Sequence, residues 1–270
     1  MHQRNFAAIG IGVLGTALAL LRGVDAALWC DTATGFAVQG SAGVRIGVWL
    51  VALVLPFLLQ RCAAPQPLAL QERCTPLGLA MLAAGGLLAA CGAATLVLCR
   101  GVPFSVPLLL DAALPCLAGL WLLVYGVRAL RGFGIRHGRL GSPWLSAVLL
   151  LCLLWKLLWR FHLVPASIAR LPCTLRVFSA AAVLLFATML LKVFLVPGLP
   201  CGKTLFATGG AAFCAAFGLE PPQVLVEASA GMLALPDLLY GLAMGALGVC
   251  GLVCALAACG PDATAGDGLY

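Results

Sequence analysis

Eight long apolar runs dominate this sequence and constrain its fold more than any other feature. A helix needs about 20 mostly apolar residues to cross the hydrocarbon core of a bilayer, and each run comes close to that length. The runs cover residues 6–22, 44–60, 77–99, 105–126, 143–163, 173–196, 204–219 and 231–259. Because the first, second and seventh runs are short, a count of seven spans stays open beside eight. The pattern predicts an all-α, polytopic transmembrane helix bundle.

Composition excludes the soluble classes of protein. Hydrophobic residues make up 63% of the chain and charged residues 9%, whereas soluble domains contain about 45–50% and about 25%. So few charges cannot cover the surface of a globule in water, and the excess apolar surface needs a lipid solvent. The net charge of +7 is expected where Lys and Arg collect in cytoplasmic loops. The composition therefore predicts that the lipid bilayer is the partner of this chain and that the chain binds no nucleic acid.

The distribution of Lys and Arg predicts that both termini lie inside. With eight spans and an inner N-terminus, nine basic residues fall on the inner side and six on the outer side, while Lys156 lies deeper in its span. The inner set is Arg4, Arg61, Arg73, Arg128, Arg131, Arg136, Arg139, Lys192 and Lys203, and the outer set is Arg22, Arg45, Arg100, Arg160, Arg170 and Arg176. Because positive charges mark cytoplasmic loops, we expect an N-in, C-in protein of the cell membrane.

The chain is expected to form a single transmembrane domain over residues 1–260, with a short polar tail at 261–270. The first run has some features of a signal peptide, including Val24-Asp25-Ala26 after it. Arg22 ends this run, and Asp25 follows three residues later, where the two charges can neutralise each other. Together with the many later spans, these charges favour an uncleaved first helix over cleavage.

Ionisable residues inside the spans or at their ends are the candidate functional residues. They are Asp111, Asp237, Arg45, Arg176, Lys156 and Arg160. In the N-in topology all but Lys156 lie toward the outer half, as does His162. One interpretation is a polar cavity open to the outside that holds an anionic small molecule or a lipid headgroup. The other is a set of structural ion pairs, Arg45 with Asp111 and Arg176 with Asp237, which only orient the bundle.

The same charges raise the hypothesis of an internal duplication. Arg45 and Arg176 are 131 residues apart, and each lies at the start of a predicted span. Asp111 and Asp237 are 126 residues apart and lie just inside two later spans. Transporters often arise by duplication, so a 4+4 repeat would divide the chain into halves 1–130 and 131–260.

Motifs for catalysis or cofactor binding fail on their context. Gly10-Ile11-Gly12-Val13-Leu14-Gly15 matches a dinucleotide-binding loop, but that loop must join a strand to a helix, and here it lies within an apolar run. Gly10 is better interpreted as a helix-packing residue, as are Gly241 and Gly245, which are four residues apart. Cysteines lie mostly in apolar runs, and the three histidines form no pair of ligands. We therefore expect no catalytic residues, no metal and no cofactor.

Asp31, Thr34 and Gly35 form a short polar motif in the first outer loop, where Asp and Gly are typical of a turn. Together with Arg22 before it and the spacer 36–41 after it, this Asp-x-x-Thr-Gly pattern resembles a group of uncharacterised multi-pass membrane proteins of anaerobic Gram-positive gut bacteria. The likeness covers the first fifth of the chain. It implies a bacterial cell-membrane location and no mechanism.

The leading functional interpretation is a transport-related membrane protein or a transporter accessory subunit with a polar cavity on its outer side. The alternative is a scaffold, sensor or partner subunit in a membrane complex, in which the charges are structural. A membrane enzyme is the least favoured class, because the glutamates Glu72, Glu220 and Glu227 are expected in loops.

Overall fold

A computed structural model describes residues 2–31, 34–63, 73–100, 105–132, 143–163, 171–196 and 201–259. Nine α-helices form these parts of the chain, and the one β feature among them is an isolated bridge between Cys30 and Ala37. The helices are α1 His2–Val24, α2 Ala42–Leu59, α3 Thr75–Leu98, α4 Val106–Arg131, α5 Pro143–Leu163, α6 Leu171–Leu195, α7 Gly202–Ala212, α8 Gly218–Ser229 and α9 Leu235–Ala258. The predicted all-α helical bundle is confirmed.

Six of these helices are long and apolar enough to cross a membrane, which supports a multi-pass integral membrane protein. They are α1 with its π-helical extension Asp25–Trp29, α2, α3, α4, α6 and α9. Helix α5 contributes a shorter apolar stretch, Pro143–Trp159. A second π-helical turn, Phe213–Phe217, joins α7 to α8 without a break. The difference between six and eight spans therefore depends on α5 and on the joined α7–α8 helix.

Glycines bring two pairs of helices into backbone contact. A Cβ built on Gly85 of α3 would lie 2.8 Å from the carbonyl oxygen of Gly119 in α4, and the reverse distance is 2.6 Å. In the second pair, Gly209 of α7 and Gly251 of α9 face each other in the same way. Because lipid gives no hydrophobic drive for association, such close approach supplies the packing that holds membrane helices together.

The joined α7–α8 helix lies at the centre of the bundle. Leu205, Phe206 and Ala207 are fully buried. Helix α1 packs on this helix where a Cβ on Gly15 would lie 2.5 Å from the ring of Phe213. Helix α2 packs mainly on α7, whereas α1 packs mainly on α8 and the π turn, and α1 and α2 barely contact each other among the described residues. The first two helices therefore leave space between them.

The glycines predicted to pack helices differ in their surroundings. A Cβ on Gly241 would overlap Val224, and one on Gly245 would overlap Pro221, so both glycines let α9 approach α8. A Cβ on Gly10 would meet no heavy atom of the described residues within 4 Å. Gly10 therefore makes no close helix contact among the described residues, because this position of α1 is exposed at the surface of the bundle.

Candidate functional site

Arg22, Asp25 and Arg45 form a buried cluster of charges where α1 ends and α2 begins. Arg22 is 2% exposed, and its Nη1 donates to Asp25 Oδ2 at 2.5 Å. Arg45 Nε donates to Asp25 Oδ1 at 2.8 Å, and Arg45 Nη2 donates to the carbonyl of Gln39 at 2.6 Å. The prediction that Arg22 and Asp25 neutralise each other is confirmed. The carboxylate of Asp25 therefore accepts hydrogen bonds from two guanidinium groups.

This cluster continues through hydrogen bonds into α8. Arg22 Nη2 donates to Gln223 Oε1, and Gln223 Nε2 donates to Glu227 Oε1 at 2.7 Å. Both acceptor residues lie in α8, which follows the second π turn. A side-chain amide can donate and accept at once, so Gln223 connects the charges of α1 to those of α8.

The chain of polar contacts ends on α6. Arg176 Nη2 donates to Glu227 Oε2, and Arg176 Nε lies 3.9 Å from Glu220 Oε2. Ser179 donates its hydroxyl to the other oxygen of Glu220, which is 1% exposed. The whole polar chain thus joins four helices, α1, α2, α6 and α8. Its three arginines and three carboxylates balance in charge.

A second charged pair lies apart from this polar chain. Lys156 Nζ of α5 is 2.6 Å from Asp111 Oδ1 of α4. The same Nζ lies 5.3 Å from the ring centroid of Tyr240 in α9, where the negative face of the ring attracts a cation. Lys156 is buried and Asp111 half-buried. The deep lysine therefore has a carboxylate and an aromatic ring as partners.

The structure corrects the predicted pairings of these charges. Arg45 pairs with Asp25 and not with Asp111, which instead has Lys156. Arg176 pairs with Glu227 and Glu220 and not with Asp237. Asp237 lies exposed in the first turn of α9 and forms no ion pair with another described residue. The side chains of Arg160 and His162 lie outside the described residues.

The prediction that the three glutamates lie in loops is also wrong for two of them. Glu220 and Glu227 lie in α8, whereas Glu72 lies outside the described residues. Pro221 and Pro222 make a helix unexpected at this point, because proline lacks an N–H and normally ends or kinks a helix. Here the π turn Phe213–Phe217 comes just before them, and the helix continues. Leu219, Gln223 and Val224 face the core of the bundle, but Gln223 is polar, so the sequence carries no clear apolar periodicity that would have revealed α8.

The motif of Asp31, Thr34 and Gly35 forms a tight turn beside this cluster. The backbone N–H of Gly35 donates to the carbonyl of Asp31 at 2.8 Å, and Gly35 has a φ of 72°. Thr34 donates its hydroxyl to Asp31 Oδ2 at 2.5 Å. Positive φ is a conformation that glycine adopts without steric cost. The turn leads back along the bridge between Cys30 and Ala37 and so brings the Gln39 carbonyl to Arg45.

A pocket of about 510 Å³ opens beside Arg45. Its polar lining includes Arg22, Asp25 and Gln39, and its apolar lining includes Trp29 and Trp49. Arg45 also lines this pocket, whereas its Nη1 is buried away from solvent and has no hydrogen-bond acceptor among the described residues. The pocket is therefore lined by two guanidinium groups and one carboxylate.

Cys30 lies at the edge of the cluster and adds no charge to the cluster. Burial raises the pKa of this thiol, and the nearby Arg22 guanidinium opposes that rise. The thiol is therefore neutral near pH 7. Among the described residues no group of three or more His, Cys, Asp or Glu side chains has a geometry that could hold a metal ion.

Comparison with protein-family models finds no match for this chain, and neither the curated proteins nor the solved structures compared with it give one.

Proposed function

We propose that this integral membrane protein binds an anionic ligand in the pocket beside Arg45, as a transport-related protein or a transporter accessory subunit. The observation that carries the proposal is the lining of this pocket, in which two guanidinium groups meet a single carboxylate and two tryptophan rings. An anionic group of a ligand would be attracted by the excess positive charge.

The local charge supports an anion as the ligand. Arg22 and Arg45 line the pocket together with a single carboxylate, Asp25. The carboxylates that balance the polar chain, Glu220 and Glu227, lie beyond Gln223 around Arg176. The pocket therefore has a local charge of about +1, which complements a monoanionic group.

The topology that accompanies this function has eight passes with both termini inside the cell membrane. Helix α5 and the joined α7–α8 helix add two passes to the six long apolar helices. In that arrangement Arg22, Arg45 and Arg176 lie at the outer ends of their helices, so the pocket opens toward the outside. The glycine contacts of α3 with α4 and of α7 with α9 support the 4+4 repeat.

The test is ligand binding by the purified protein in detergent. We expect small carboxylates or phosphate monoesters to raise the unfolding temperature of the wild type. Arg45→Gln should abolish that shift while the protein still elutes as a folded species. Arg100→Gln is the matched control, because it removes the same charge from an exposed residue at the end of α3. An equal shift of the unfolding temperature in the wild type and in Arg45→Gln would contradict the proposal. Uptake of the bound anion into proteoliposomes is the separate test of transport.

The alternative function is a scaffold or partner subunit whose charges only orient helices. It is favoured by the balance of three arginines against three carboxylates in the polar chain. In that case Arg45→Gln lowers the stability of the folded protein, and no anion changes the stability of the wild type.

A further inference from the structure

The pocket beside Arg45 has a neighbouring cavity between α1 and α2, and the two together are called the groove. A second cavity of about 380 Å³ lies between the same two helices, lined from α1 by Leu14 and Leu18 and from α2 by Gly47, Val51 and Leu55. Val48 lines both cavities, so they adjoin. The groove exists because α1 and α2 pack on α7–α8 and barely contact each other among the described residues.

The groove is polar at one end and apolar along the rest. Arg45 lies in the first turn of α2, near the expected membrane surface. From Arg45 to Leu55 the helix advances about 15 Å at roughly 1.5 Å per residue. This is half of a hydrocarbon core about 30 Å thick. From Arg45 at its polar end to Leu55, the groove therefore spans about the depth of one leaflet.

The side of the groove is open to the surface that faces lipid. Leu21, Val44 and Val48 line the pocket and are 49%, 68% and 41% exposed. All three belong to helices long and apolar enough to cross a membrane. A ligand can therefore enter sideways from the bilayer.

We propose that this groove binds one membrane lipid with a monoanionic phosphate headgroup. The phosphate binds beside the Arg45 guanidinium group in the pocket of local charge about +1, and one acyl chain lies over Gly47, Val51 and Leu55. The lipid identity rests on the proposed function, because both use the positive charge of this pocket. It adds the acyl chain, which the apolar groove explains and a small solute would leave unfilled.

Gly47 offers a way to fill the groove without disturbing the protein. A Cβ on Gly47 would meet no heavy atom of the described residues within 4 Å, and Gly47 lines the second cavity, so the side chain of Gly47→Leu extends into the groove. Gly86 of α3 has the same open surroundings and lines neither cavity, which makes Gly86→Leu the matched control. Both changes replace a mid-helix glycine by a better helix former.

The experiment measures lipid retention by native mass spectrometry of the purified protein. Probes are dioleoylphosphatidylglycerol, dioleoylphosphatidylcholine and soluble glycerol 3-phosphate. We expect one phosphatidylglycerol to be held about tenfold more tightly than phosphatidylcholine, equivalent to about 1.4 kcal/mol. Gly47→Leu and Arg45→Gln should lose this lipid, and Gly86→Leu should keep it.

Each other outcome overturns a defined part of the reasoning. Equal retention of both lipids, or retention of phosphatidylglycerol by Gly47→Leu, overturns the lipid site. Binding of glycerol 3-phosphate that needs Arg45 but tolerates Gly47→Leu overturns the lipid and leaves the anion-binding function standing. Absence of binding by every anionic probe overturns both.

Discussion

The pairing of Lys156 with Asp111 can be measured by a double-mutant cycle. Lys156→Met keeps the length of the side chain and removes the charge, and Asp111→Asn keeps the shape of the carboxylate. Removing one partner of a fully buried ion pair costs about 3–5 kcal/mol. The Asp111 side chain is 22% exposed, so solvent screens part of that charge, and we expect Lys156→Met to cost about half as much.

The assay is unfolding of the purified protein by a denaturing detergent, followed by circular dichroism. The two single variants and the double variant give the coupling free energy, which we expect at about 1–2 kcal/mol, within the range for residues in contact. Arg45→Gln combined with Asp111→Asn is the control cycle, because Arg45 pairs with Asp25 instead. Its two effects should add within about 0.5 kcal/mol. Coupling in the control cycle together with additivity between Lys156 and Asp111 would refute the helix arrangement described above.

Two further predictions concern glycines. Gly85→Ala should lower the free energy of unfolding by about 1–3 kcal/mol through overpacking, because its Cβ would lie 2.8 Å from a backbone oxygen of α4. The neighbouring Gly86→Ala meets nothing within 4 Å and should leave the free energy of unfolding unchanged or raise it. Equal effects of the two variants would argue against the backbone contact. Gly35→Ala forces a residue with a Cβ to adopt a φ of 72° and should lower the free energy of unfolding by about 1–2 kcal/mol, whereas Gly43→Ala in α2 should leave it unchanged. The unfolding midpoint in detergent measures the effect of each variant.

The membrane class and most helices could be predicted because both follow from local sequence. Apolar length alone specifies a span, and the predicted run 77–99 differs from helix Thr75–Leu98 by one or two residues at its ends. The pairing of Arg22 with Asp25 was also predictable, because the two residues lie three positions apart on one helical segment. Local spacing is sufficient for each of these features.

The partners of Arg45, Arg176 and Asp111 could not be predicted in the same way. Ion pairs between helices depend on which helices are neighbours, and charges at helix ends leave several pairings open. The duplication hypothesis favoured equivalent partners in the two halves, whereas Arg45 uses a carboxylate on the extension of α1 and Arg176 uses two on α8. Glu220 was missed for a different reason, since the π turn that lets a helix continue into two prolines has no strong sequence signal.

The polar chain and the groove together explain why a ligand site can exist at α1 and α2. Only 17% of the residues in the apolar window of α2 and 28% in that of α1 are buried, against 61% in α9. Glycine contacts hold the inner helices backbone to backbone, so a ligand has no room there. The first two helices instead contact α7–α8 more than each other, and side-chain bonds such as the one from Arg22 to Gln223 fix α1 to the interior. The proposed site would therefore lie beside the packed core, and the same bonds would connect its charge to the rest of the bundle.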